Sequence, residues 1–200
     1  MPTLLQIKTS LFAEHSQSNQ LAQTFVERWK KTRPDAVIVS HDLGATPVPH
    51  LDQATFQAFL TPPETRNTEQ NALAARSDAL IAELKAADVL VIGLPMYNLG
   101  IPSPLKAYFD HIARAGITFR YTENGPQDLL QGKRAYVFAT RGGRYSGTPF
   151  DTQTDYIRHF LAFIGITDVD FVYAEGLNMG DESKIASLNG AQANLERLVA

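Results

Sequence analysis

Five short apolar segments, each followed by a stretch of helical periodicity, constrain this chain more than any other feature. Residues 3–9, 36–41, 88–94, 133–140 and 168–174 are rich in Val, Ile, Leu, Phe and Tyr and have the length of strands. Between them, Leu21, Phe25 and Trp29 share one helical face at i, i+4, i+8. Leu73, Leu80 and Leu84 share a second, with Thr68 as its expected cap, and Leu105, Tyr108, Phe109 and Ile112 a third, with Ser103 as N-cap and Pro104 at the first helical position. Ile157, Phe160, Leu161 and Ile164 form a fourth, closed by Gly165, and Ile185, Leu188 and Leu195 a fifth within residues 182–198. Five βα units in succession predict an α/β fold: a doubly wound, five-stranded parallel sheet of order 2-1-3-4-5, with helices on both faces.

With 200 residues and 44% hydrophobic content the chain can bury one substantial core, so a single domain over 1–200 is expected. The formal charge is −3 and no basic run stands out, which argues against nucleic acid as a partner. There is no cysteine, and the histidines at 15, 41, 50, 111 and 159 are scattered, so no metal site is expected and those side chains are assigned to surfaces or turns. Thiol catalysis is excluded, and any redox chemistry must come from a cofactor. No run approaches membrane-spanning length and the first residues read as a strand rather than a leader, so a cytoplasmic protein with no membrane partner is expected.

The stretch Pro95-Met96-Tyr97-Asn98-Leu99-Gly100-Ile101-Pro102-Ser103-Pro104-Leu105-Lys106 follows the third strand and enters a helix, which places it at the carboxyl edge of the sheet, where open α/β sheets bind ligands. Residues 95–99 offer aromatic and apolar side chains, an amide and free backbone, but no acid, base or thiol; the loop suits a flat cofactor. In the order 2-1-3-4-5 the loops after the first, third and fourth strands converge. The first carries Ser10, Ser16, Gln17, Ser18 and Asn19 and then enters a helix, whose free N–H groups attract phosphate. The third, Thr140-Arg141-Gly142-Gly143, lets backbone approach a planar ring. Two connections, 43–67 and 114–132, are too long for turns and are expected to wall a site or a subunit contact. In the second, Ile117, Phe119 and Tyr121 alternate along an extended piece that ends in the turn Glu123-Asn124-Gly125-Pro126. No Gly-x-Gly-x-x-Gly follows the first strand, no Gly-x-x-x-x-Gly-Lys-Ser/Thr occurs, and no Gly-x-Ser-x-Gly elbow is present, which argues against a Rossmann NAD domain, a P-loop NTPase and a serine hydrolase.

Ser16-Gln17-Ser18-Asn19, Pro95-Met96-Tyr97-Asn98, Leu105-Lys106-x-Tyr108-Phe109-Asp110, the long block from Ala113 to Pro126, Arg141-Gly142-Gly143, Gly165-Ile166-Thr167-Asp168 and Ala174-Glu175-Gly176 together resemble the bacterial FMN-dependent NADH:azoreductase family, which also reduces quinones. The resemblance implies a flavodoxin-like fold and a homodimer with one FMN per subunit near the interface. By position it implies that Ser10, Ser16, Gln17 and Ser18 hold the FMN phosphate, and that Met96, Tyr97, Asn98, Leu99, Thr140, Arg141, Gly142 and Gly143 flank the isoalloxazine. Leu99 stands where relatives often carry Phe, and Thr140 where Ser is familiar; Arg144-Tyr145 falls in a variable stretch.

The implied activity is ping-pong, two-electron hydride transfer from NADH or NADPH to a quinone or azo compound, with chemistry borne by the flavin and no catalytic side chain required. Phe119, Tyr121, Tyr145 and Phe160 are the substrate-binding residues, although the helical spacing of Phe160 also fits core packing. Backbone N–H groups near Gly142 and Gly143 are placed to stabilise charge on the reduced ring. Two alternatives stay open: a flavodoxin-type electron carrier without direct NAD(P)H turnover, and a flavin fold that has lost its cofactor and serves as a scaffold.

Overall fold

The computed structural model describes residues 1–199. Its strands are β1 (Thr3–Lys8), β2 (Val37–Asp42), β3 (Val89–Pro95), β4 (Phe119–Thr122), β5 (Gly125–Asp128), β6 (Arg134–Thr140) and β7 (Asp168–Ala174). Its helices are α1 (Gln17–Lys31), α2 (Gln53–Leu60), α3 (Thr68–Ala86), α4 (Ser103–Ile112), α5 (Thr154–Ile164) and α6 (Asp181–Val199). The main sheet is parallel with order β2-β1-β3-β6-β7, which is the expected 2-1-3-4-5 once the separate β4–β5 hairpin is set aside.

The two-residue period of the strands sorts the core into two layers. Leu90, Ile92 and Leu94 of β3 and Ala135, Val137 and Ala139 of β6 face α3, α4 and α5. Val91, Tyr136 and Phe138 face α1 and α6, where Phe25 packs its ring 4.4 Å from Tyr136 and 5.4 Å from Phe138. Each such Leu, Ile or Phe taken out of water contributes about 1.5–3 kcal/mol before the entropy of ordering is subtracted. Register then positions the site: Pro95, Thr140 and Ala174 lie abreast, and Lys8 pairs with Gly93 two residues earlier, so the chain leaves β1, β3, β6 and β7 at one edge.

Several local expectations are corrected. Helix α3 is capped by Asn67, not Thr68, through a full capping box with Gln70. Helix α4 starts at Ser103 itself; Pro102 is the N-cap and no side chain caps the helix. The connection 43–67 contains α2, capped by Asp52, which accepts from the Thr55 N–H at 2.8 Å. Connection 114–132 forms the β4–β5 hairpin over a two-residue turn, Glu123-Asn124, so Gly125 and Pro126 already belong to a strand.

His111 is the largest departure, because it is buried in α4 rather than on a surface. Its Nε2 meets the Pro49 carbonyl at 3.1 Å and its ring stands edge-on to Phe59 of α2, 5.6 Å away. Burial holds its pKa below the ordinary histidine value, helped by Arg76 and Arg114 and opposed by the Pro49 carbonyl and Asp110. The unfolded chain therefore takes up a proton below about pH 6.5 that the folded chain refuses. Stability is whole above that value and is lost as pH falls through the folded pKa. Thermal melts from about pH 7 to about pH 5 should show a smaller loss for His111→Gln than for the parent, since an amide can still donate to Pro49. Equal losses would remove His111 as the cause.

Candidate functional site

The carboxyl edge of the sheet is a cleft built from four loops that hold one another in place. In the first, Thr9 Oγ1 donates to the Gly93 carbonyl at 2.6 Å, and Ser10 Oγ lies 3.0 Å from the Tyr97 hydroxyl of the second loop. The same hydroxyl accepts the Leu11 N–H at 3.1 Å, so one phenol ties two loops together. Ser16 caps α1 by accepting the Asn19 N–H at 3.2 Å, and its Oγ is 3.1 Å from Ser18 Oγ. A helix leaves its first N–H groups without intrahelical partners. With Asn19 N–H taken by Ser16, those of Gln17 and Ser18 remain beside the two hydroxyls. Gly93 lets this turn sit on β3: a Cβ there would lie 2.9 Å from Asn19 Oδ1 and 3.2 Å from the Ser18 carbonyl oxygen.

The second loop is wound tightly. Asn98 and Leu99 have φ of 50° and 61°, the left-handed region, which costs a residue such as Leu roughly 1–3 kcal/mol. Gln153, wholly buried at the start of α5, holds the loop from inside: its Nε2 donates to the Pro95 and Gly100 carbonyls, both at 3.0 Å. Thr152 Oγ1 also donates to the Leu99 carbonyl.

The third loop is laced to the fourth, which leaves β7. Leu177, Asn178 and Gly176 donate their N–H groups to the carbonyls of Arg141, Gly142 and Gly143 at 3.1, 3.0 and 2.8 Å. The N–H groups of Gly142 and Gly143 donate no hydrogen bond among the described residues. Each glycine lies close against a neighbouring side chain. A Cβ at Gly142 would lie 2.6 Å from Asn178 Nδ2, and one at Gly143 would lie 2.8 Å from the Tyr145 ring.

Two adjoining cavities fill the cleft, of about 230 and 490 Å³, the scale of small-ligand sites. Ser10, Ser16, Gln17, Tyr97, Thr140, Arg141 and Gly142 line the first; Met96, Asn98, Leu99, Gly142, Gly143 and Tyr145 line the second. Ser18 is fully buried behind Ser16. Arg141 reaches the cleft by backbone only, for its guanidinium is turned inward and wholly buried against Asp151, Glu175 and Gln153. Burial tends to raise the Asp151 pKa, but the hydrogen bonds from Arg141 and Thr154 outweigh it and hold the carboxyl below its usual range.

Phe119, Tyr121 and Phe160 are not among the residues that line these two cavities. Phe119 is buried on the hairpin, 4.2 Å from Phe163 and 5.5 Å from the exposed Tyr121. Phe160 is half-buried on α5 and stacks on Phe109 at 3.9 Å. Residues not singled out from sequence also line the first cavity: Phe12, His15, Asn178 and Lys184, the last from the opening turn of α6. No motif marks them. Phe12 and His15 lie on the first loop, and Asn178 and Lys184 arrive through the parallel topology, which brings the fourth loop to the same edge.

The sequence profile of the flavodoxin-like fold matches residues 2–199. The chain belongs to this flavodoxin-like family. It is 54% identical to an FMN-dependent NADH:quinone oxidoreductase of Burkholderia lata, over 96% of this chain and 97% of that one. It is 52% identical to one of Cellvibrio japonicus over the whole of both. Among solved structures it resembles the Bacillus anthracis azoreductase with a TM-score of 0.91 at 26% identity, covering 100% of this chain and 99% of that one. An FMN-dependent NADH-azoreductase of the same species, solved in complex with FMN, matches with a TM-score of 0.87 at 27% identity over all of both chains. Among the described residues of this family member, no helix is long and apolar enough to cross a membrane.

Proposed function

We propose that this chain is an FMN-dependent oxidoreductase that passes two electrons from NADH to quinones and azo compounds, acting as one cytoplasmic domain in a homodimer. The observation that carries the reading is the donor set of the cleft. Neutral hydroxyls of Ser10 and Ser16 and the open first turn of α1 suit a phosphate monoester, and the unpaired N–H groups of Gly142 and Gly143 stand beside the second cavity, where a planar heterocycle has acceptors to offer. The residues present fit FMN, and the names of the relatives support both that cofactor and NADH as donor.

When bound, FMN supplies hydride acceptance and release, and the protein supplies place and field. Ser10, Ser16, Gln17 and Ser18 hold the phosphate end, Ser18 from behind Ser16. Met96, Tyr97, Asn98 and Leu99, with Thr140, the Arg141 backbone, Gly142 and Gly143, would flank the ring. The glycine N–H pair favours negative charge beside it. Tyr145 serves as a stacking surface for donor and acceptor. Tyr121 and Phe160 act on substrate only across a subunit boundary, by closing the partner's cleft, with buried Phe119 seating Tyr121 from beneath; the exposed Leu11, Phe12, Phe150 and Met179 support an association of this kind. The electron-carrier alternative is not favoured. Initial rates with NADH and quinone varied together should give parallel double-reciprocal lines and need no protein partner; intersecting lines would overturn the ping-pong scheme.

Lys184 gives a sharper check on the phosphate assignment. Among the described residues it has no ion-pair partner, although it sits in the first turn of a helix, where a cation is disfavoured. Lys184→Gln should raise the FMN dissociation constant about fivefold at low salt, roughly 1 kcal/mol, and leave riboflavin binding unchanged. An equal loss for both flavins would place the phosphate elsewhere.

A further inference from the structure

The third loop owes its shape to a carboxylate that never reaches the cleft. Glu175 stands at the end of β7 and lines a separate hollow with Arg144, Tyr173 and Ser183, not the two cavities of the site. Its Oε1 accepts three hydrogen bonds: from Tyr145 N–H and Ser146 N–H, both at 2.9 Å, and from Arg141 Nη1 at 3.0 Å. Arg141 is fixed in turn. Its Nη2 donates to Asp151 at 2.7 Å, its Nε to Gln153 at 3.3 Å, and its guanidinium lies 5.1 Å from the Tyr173 ring centre. Gln153 then grips the second loop through the Pro95 and Gly100 carbonyls. One continuous run of bonds therefore joins the second loop to the third behind the cleft. Burying a guanidinium and its carboxylates is expensive, and replacing such a cluster by apolar side chains is often neutral for stability, so stability alone does not explain it.

We propose that Glu175 is a positioning residue for hydride transfer: by drawing the Tyr145 and Ser146 N–H groups onto one oxygen, it turns the third loop so that the Gly142 and Gly143 N–H groups stay unpaired beside the flavin ring. This rests on the reading that FMN occupies the cleft. A fixed pair of donors favours negative charge on the reduced ring, whereas donors that must reorient lose part of that benefit. Glu175 thus sets how readily bound FMN takes electrons, without touching it.

The test compares Glu175→Ala with Glu175→Gln in the full chain. Both lose the charge, but only the alanine loses the acceptor oxygen. The readouts are the midpoint potential of bound FMN, the FMN dissociation constant from fluorescence quenching, and the thermal midpoint of the apoprotein. The alanine variant should show a more negative potential than the glutamine variant and about tenfold weaker FMN binding, with hydride transfer from NADH slowed at least tenfold. Should the alanine variant fail to fold, Glu175→Asp replaces it, with the charge kept and the oxygen withdrawn by one methylene; its potential should lie negative of the parent's. Coincident potentials with only a lower melting point would reduce Glu175 to a structural part and overturn the inference. Parent protein that takes up no FMN would overturn the cleft reading itself, and this inference with it.

Discussion

Arg141→Met should lower the melting temperature of the chain by roughly 10 °C. The guanidinium is fully buried between Asp151 and Glu175, whose side chains are 8% and 17% exposed. Removing one partner of such a cluster costs about 3–5 kcal/mol, because two carboxylates are left without their counter-charge. In a chain of this size each kcal/mol moves the melting temperature by about 2–4 °C. Met fills much of the same space, so the loss measures charge rather than volume. Adding Asp151→Asn and Glu175→Gln to Arg141→Met should recover a good part of it. A single variant that melts within about 2 °C of the parent would show that the cluster is not the anchor described.

Gly165→Ala should be nearly as costly. Gly165 ends α5 with φ of 108°, a conformation that L residues avoid, and its backbone lies against the Leu130 carbonyl. An added Cβ would fall well inside contact with that oxygen and 2.8 Å from Asp128 Oδ2. Leu130 belongs to a segment tied to the helix by its own N–H on the Ile164 carbonyl, so neither side yields cheaply. The backbone and overpacking penalties together come to about 3 kcal/mol. The displaced segment leads out of the hairpin bearing Phe119 and Tyr121, so a lower maximal rate with quinone should accompany the loss. Gly190→Ala is the control: it sits within α6 with open space where a Cβ would go, and should stabilise by about 0.5–1 kcal/mol. Urea denaturation of the two variants beside the parent reads both effects. A harmless Gly165→Ala would contradict the packing assigned to this corner.

The strands and their order were legible because each is a short apolar run of strand length followed by a helical stretch, and because βα alternation admits few topologies. Buried face and helix face agree at Leu21, Phe25 and Trp29, and again at Ile157, Leu161 and Ile164. Short elements were less legible. Helix α2 has eight residues and exposes Phe56 and Leu60, so no stripe announces it. His111 looked like a surface residue because its partners, the Pro49 carbonyl and Phe59, lie far away in sequence. At the site, the loops could be placed from topology, but not the direction of each side chain. The resemblance places Arg141 beside the flavin ring, and only tertiary packing shows that its guanidinium turns inward and leaves the backbone at the cleft. Gln153 carries no signal at all, being an ordinary residue before a helix. Glu175 did fall within a recognisable stretch, Ala174-Glu175-Gly176, yet the two N–H groups it accepts are 29 and 30 positions away.

The cleft should bind FMN, and NADH should reduce it directly. An anaerobic absorbance titration of the purified, FMN-loaded protein with NADH, followed by a pulse of quinone, tests both in one cuvette. The oxidised-flavin bands should bleach with NADH and return with quinone. Bands that persist through excess NADH would rule out direct reduction by NADH and restore the electron-carrier reading.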